Sequence, residues 1–217
     1  KTSFDIKADG VNQVVTTTYD VERTGATLAI TYTMTPKGQL IVTQAMTVDK
    51  DTKEKPQLLR YGMKMQMPKD FTQIEYYGKG PQENYIDRNH WQHLAVWNQT
   101  VEEQYYPYIR PQESGTKTGV RYWQLTNKEG KGLKFEGTEP LECQALNFTE
   151  SDLYSGRDKG RTQRHSGDLI PQPFTDLHIA ARSMGIGCVN SWGAWPRQEY
   201  QMPYKDYTYT FIITPVK

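Results

Sequence analysis

The sequence predicts an all-β protein, a large antiparallel β-sandwich, and three observations carry that prediction. Apolar residues recur with a period of two along much of the chain, which is the spacing of half-buried strands. Glycine, proline and asparagine interrupt these runs at short intervals, as hairpins and sheet edges require. No window of helical length carries a clean i, i+3, i+4 apolar stripe.

The elements follow in order. Leu28, Ile30, Tyr32 and Met34 alternate with Ala and Thr and form one strand. Pro36-Lys37-Gly38 is a hairpin turn into a second strand that carries Val42, Met46 and Val48. Leu59, Tyr61, Met63, Met65 and Met67 share one face of the next strand, with Arg60, Lys64 and Gln66 opposite. Residues 71–77, 120–126, 133–135 and 174–183 supply further strands, and Tyr207, Tyr209, Phe211 and Ile213 close the chain with the clearest alternation. Residues 91–97 read as a loop with one turn, 105–119 as a long ordered loop, and the polar stretch 151–172 as the mobile segment. Nothing repeats and no low-complexity linker divides the chain, so residues 1–217 read as a single β-sandwich domain.

Composition bounds the function. A chain of 217 residues buries roughly 70% of its unfolded surface and needs no disulfide or metal staple. Only 36% of residues are hydrophobic and the mean hydropathy is −0.79; 15 Tyr and 5 Trp supply large buried area with a polar handle. With 26 basic against 25 acidic residues there is no field to attract nucleic acid or an anionic membrane. No apolar run approaches the roughly 18 residues of a membrane span. Cys143 and Cys188 read as two reduced thiols, too few for a metal cluster. The chain starts Lys-Thr-Ser with neither an initiator Met nor a signal segment, and is expected to be a piece of something longer.

Residues 76–88, YYGKGPQENYIDR, concentrate hydrogen-bonding groups after a strand end. Buried, such groups must all find partners, so the stretch is a bonded corner or part of a site. Glu83 and Asp87 share it and are close enough in sequence to approach each other; ion pairing and backbone capping by Asp87 and Arg88 are expected over catalysis. His90 and His93 lack a third ligand nearby and read as solvated. His178, in a strand, is the candidate acid of a mutarotase-type mechanism, against a packed histidine as the plainer reading. Trp192 lies in MGIGCVNSWG at 184–193, where the glycines let the chain bend and present the indole to the C–H face of a sugar.

Four motifs in this order, LRYGM at 59–63, YGKGPQENYIDR at 77–88, YPYIRPQE at 106–113 and MGIG with NSWG at 184–193, resemble the C-terminal domain of the large bacterial β-galactosidases of glycoside hydrolase family 2, the lacZ type. The resemblance spans essentially the whole chain. It implies a galactose mutarotase-like supersandwich that forms the C-terminal fragment of a multidomain enzyme hydrolysing terminal non-reducing β-D-galactosides. In that family the catalytic glutamates and most ligands of Mg and Na lie on a TIM barrel outside this stretch. The implied cofactor set of the chain itself is therefore empty, with no metal ligand and no catalytic residue. The implied partners are a β-galactoside in the parent active site, the barrel domain, and a homo-oligomer, with no nucleic acid and no membrane span.

By motif the resemblance carries over Trp192 as the substrate-stacking residue. On the reading of the residues, Asn84, Asp87 and Arg88 form the structural corner. The family's usual Gly-Asp-Asp before Ser-Trp is Cys188-Val189-Asn190 here, which implies altered bonding in that loop. The isolated fragment is expected to be inactive. A stand-alone carbohydrate-binding module and an aldose 1-epimerase-like enzyme are the alternatives, and a bacterial cytoplasm or periplasm both fit.

Overall fold

β-Branched and aromatic residues fill eleven strands, where a pleated, half-buried surface favours them. The computed structural model describes residues 1–154, 165–187, 189–190 and 192–217. The strands are β1 Ser3–Asp9, β2 Asn12–Val21, β3 Ala26–Met34, β4 Leu40–Val48, β5 Arg60–Pro68, β6 Gln73–Gly80, β7 His93–Thr100, β8 Lys117–Thr126, β9 Gly132–Leu146, β10 Phe174–Ser183 and β11 Tyr207–Val216. A single-turn helix, α1 Glu150–Leu153, is capped by Thr149 and Asp152 in a reciprocal box.

All strand pairs are antiparallel, in the order β1-β2-β3-β4-β11-β9-β8-β6-β7, with β5 attached through β10 to β9. The sheet folds on itself at β9. Its first half, to Gly137, lies between β11 and β8. The chain then bends through exposed Thr138, Glu139 and Pro140, and the second half keeps β8 as a neighbour through Leu141 and Cys143 but pairs with β10 in place of β11. One strand thus belongs to both layers of a sandwich. The layers meet through rings: Tyr61 of β5 packs 5.5 Å from Tyr207 and 5.4 Å from Tyr209 of β11, and the Tyr209 hydroxyl donates to the Ile179 carbonyl at 3.0 Å. Ile30, Val42, Phe135, Phe211, Leu177 and Ile179 fill the space between them. The chain carries its own core, the condition for folding alone.

The 3–21 stretch is a hairpin, β1–β2, and escapes alternation because β1 is exposed along its whole length and β2 is rich in threonine. Residues 91–97 are not a loop with one turn: His93 to Thr100 pair along β6. Leu94 and Val96 are exposed on one face while Trp97 packs against the core from the other, so apolar residues occupy both faces and the period of two is lost. The polar stretch 151–172 lies partly outside the described residues; its described part holds the end of α1 and a short turn at 166–168.

Candidate functional site

Alternation on β5, β10 and β9 sends apolar side chains to the core and polar ones to the opposite face. Leu141, Cys143 and Ala145 join the core, while Glu142 and Gln144 point the other way beside His178 and Ala180 in register. Arg60, Asp176, His178, Glu142 and Gln144 therefore share the outer face of three adjacent strands. The 105–116 loop covers this face, so the polar groups are buried and must satisfy one another.

Arg60 is the hub. Its Nη2 donates to Glu113 Oε1 at 2.7 Å, its Nε to Ser183 Oγ at 3.1 Å and its Nη1 to His178 Nδ1 at 2.6 Å. Nδ1 therefore accepts, the ring proton sits on Nε2, and Nε2 donates to Asp176 Oδ2 at 3.1 Å. Lys64 Nζ stands 3.2 Å from the same carboxylate oxygen. Burial works against the charge on Arg60, but neighbouring Glu113 outweighs it and raises its pKa. Burial pushes Glu142 up to about 7, opposed by Ser183 and Arg60. Both nitrogens of His178 are engaged, so no free ring nitrogen faces a ligand.

The 76–88 corner lies over this face. Asn84 is fully buried: its Nδ2 donates to the carbonyls of Lys79 and Gln82 at 2.9 and 3.1 Å, its Oδ1 accepts from Thr118 N at 2.9 Å, and its own N–H donates to Thr116 O at 2.7 Å. Arg88 pairs with Glu83 at 2.5 Å and donates to the Tyr108 hydroxyl at 2.9 Å. Glu83 also accepts from Tyr108 and from Gly115 N, and burial beside Glu83 pushes the Tyr108 phenol up to about 12. Behind them Lys117 is buried with its ammonium on Gln104 Oε1 at 2.7 Å, and burial drives its pKa down to about 7 against the pull of Glu83.

Asp87 does something else. Its carboxylate accepts from Ile186 N at 3.2 Å and Gly187 N at 2.8 Å, about a hundred residues downstream. A Cβ on Gly185 would lie 2.6 Å from the Asp87 carboxyl carbon, and Gly187 sits at φ +65° with its Cβ position 2.6 Å from Ala194 O. The glycines of the MGIG motif are thus required by the approach of Asp87 and by the turn, a signal that single-motif reading misses. Beyond this anchor the Asn190 side chain accepts from Trp192 N at 2.9 Å and Ala194 N at 3.4 Å, and Trp192 is 92% exposed. Cys188 lies outside the described residues.

Between corner and loop opens a cleft of about 450 Å³, walled by Leu59, Arg60, Tyr85, Arg88, Glu113 and Met184 among others. His90 and His93 are both exposed. Among the described residues no group of three or more His, Cys, Asp or Glu could hold a metal ion. No helix among them is long and apolar enough to cross a membrane.

A family model described as the β-galactosidase small chain matches residues 1–213. A β-galactosidase of Halalkalibacterium halodurans is 33% identical over 85% of this chain and 18% of its own length; one from Priestia megaterium is 31% identical over 88% and 18%. The chain thus spans about a fifth of the length of these curated relatives. Solved structures include an aldose epimerase homologue from C. elegans, 11% identical with a TM-score of 0.45 over 98% of this chain and 68% of that one. A family 36 α-galactosidase from Geobacillus stearothermophilus gives 8% and 0.48, over 98% of this chain and 25% of that one. At these scores the structural likenesses add nothing to the topology described above.

Proposed function

Since the chain belongs to the β-galactosidase small-chain family, we propose that it is the C-terminal β-sandwich of a multidomain enzyme that hydrolyses terminal β-D-galactosides. In this reading it walls the substrate cleft and places Trp192 against the sugar. The observation that supports it most is a large aromatic side chain 92% exposed on a turn held at both ends, by Asp87 and by Asn190. An indole kept out of a core by fixed backbone is available to stack on the C–H face of a galactoside. Glu142 and Asp176 are buried and Glu113 is held by Arg60, placements that favour structural roles over a pair of carboxylates flanking a glycosidic bond. The catalytic pair, and with it Mg and Na, belongs to the rest of that enzyme, which with the galactoside completes the proposed partner set.

The test is Trp192→Ala in the whole enzyme. KM for an aryl β-galactoside should rise about tenfold, with kcat lowered if stacking is also felt in the transition state, while the unfolding midpoint stays put. Unchanged KM and kcat would sink the reading. The 217-residue chain alone should show no hydrolysis of the same substrate, and measurable turnover would refute that half. The epimerase alternative gains no support from His178, since both its nitrogens are engaged.

A further inference from the structure

Trp192 is absent from the walls of the 450 Å³ cleft, although Met184, Gly185 and Ile186 of the same loop line it. Its volume is in the range of small-molecule sites. Among the charged groups that line the cleft, the Glu113 carboxylate and the Arg88 guanidinium are each fixed from behind. On Glu113, Oε1 receives Arg60 Nη2 at 2.7 Å, Gln144 Nε2 at 2.8 Å, Thr116 Oγ1 at 3.1 Å and the Tyr85 hydroxyl at 3.3 Å. Four donors on one oxygen lock the group, and the side chain is one-third exposed; among the described residues Oε2 meets no hydrogen-bond donor. On Arg88, Nη2 is held by Glu83 and Tyr108, and no acceptor among the described residues meets Nη1 or Nε.

Charge then selects the ligand. An anion such as phosphate would meet Glu113 and Glu150, and a metal ion would meet Arg60 and Arg88, all four of which line the cleft. A neutral molecule whose groups both donate and accept suits an open carboxylate oxygen beside an open guanidinium edge, and a hydroxyl is such a group. Leu59, Met184 and the Tyr85 ring supply an apolar wall for the C–H face of a ring. We propose that this cleft binds a neutral polyhydroxylated ring, a sugar unit separate from any that stacks on Trp192. The inference rests on the chemistry of the cleft and stands independently of the role given to Trp192.

Saturation-transfer NMR of methyl β-D-galactopyranoside, on the 217-residue chain and on its Trp192→Ala variant, tests it. Transfer should persist in Trp192→Ala. In that background Arg88→Met should weaken binding about tenfold, as for loss of a hydrogen bond to a charged group. The exposed carboxylate of Glu150, also on the cleft wall, offers a hydroxyl one further acceptor, so Glu150→Ala, which leaves the corner intact, should weaken binding about threefold, the size of a single net hydrogen bond. Thermal melts check that each variant is folded. Transfer that vanishes with Trp192→Ala overturns the cleft while leaving the tryptophan reading intact. Absence of transfer in both chains, displacement by inorganic phosphate, or indifference to Glu150→Ala overturns it as well.

Discussion

The 76–88 corner and the 184–196 loop are close in space and opposite in character. In the corner, Asn84 and Tyr85 are buried and both polar groups of the Asn84 side chain have partners. In the loop, Val189, Trp192 and Trp195 are exposed, and the described bonds are the anchors at its two ends and a local Asn190 turn between them. A saturated region tolerates little change and carries identity, whereas a tethered one leaves its side chains free to touch something else. Asp87 joins them: it is encoded in the corner and spends its carboxylate on the loop.

The contrast breaks most visibly at Asn84. Asn84→Ala removes the side-chain bonds to Lys79, Gln82 and Thr118 and strands buried groups, at a cost of about 3–5 kcal/mol, read as a lowered urea midpoint. A loss below about 1 kcal/mol would show that the corner is not saturated in the sense argued.

Acid and alkali should act on the buried side alone. Glu142 keeps its proton to about pH 7 in the folded chain against an ordinary 4.5, so the folded state binds the extra proton and stability falls from pH 4.5 to 7. Lys117 has its pKa lowered from 10.5 to about 7, so the unfolded state binds the extra proton and stability recovers as pH rises from 7 toward 10.5. Denaturation midpoints against pH should pass through a minimum near 7. Glu142→Gln should flatten the acid limb and Lys117→Met the alkaline one; a monotonic profile contradicts both assignments.

Asp87→Ala should sharpen the comparison, with a modest loss of about 1–2 kcal/mol but much faster amide hydrogen exchange at Ile186 and Gly187, whose N–H groups it holds. Gly185→Ala should mimic it by pushing against Asp87. If exchange is unmoved in both, the anchor does not hold the loop. Smallest of all, Trp192→Ala should shift stability by no more than about 0.5 kcal/mol, as exposed substitutions do.

Much of this fold was legible where one strand face is buried and the other wet. The alternation at 207–213 and 174–183 marks β11 and β10, and 36–38 turns the β3–β4 hairpin. The second half of β9 was not legible, because Leu141 to Leu146 are buried on both faces and Glu142 and Gln144 look like surface residues until the 105–116 loop covers them. The same cause hid the polar cluster around Arg60, whose members are scattered from 60 to 183. Arg88 was expected to brace the corner alongside Asp87; its observed partner is Glu83, and the reach of Asp87 to Ile186 and Gly187 has no local signature, since a contact across a hundred residues is set by topology.

The position of β11 has a consequence for how the chain is made. It comes last of the eleven strands in chain order, yet it sits between β4 and β9, with the Thr43 and Thr210 hydroxyls 2.8 Å apart. Until it pairs, the facing edges of β4 and of the first half of β9 stand open. Pairings of such sequence separation close slowly, and open edges in the interval invite pairing with another chain. A chain in which these ten residues have yet to pair is the species in which misassembly would begin, and the docking of this one strand commits the sandwich to its final form.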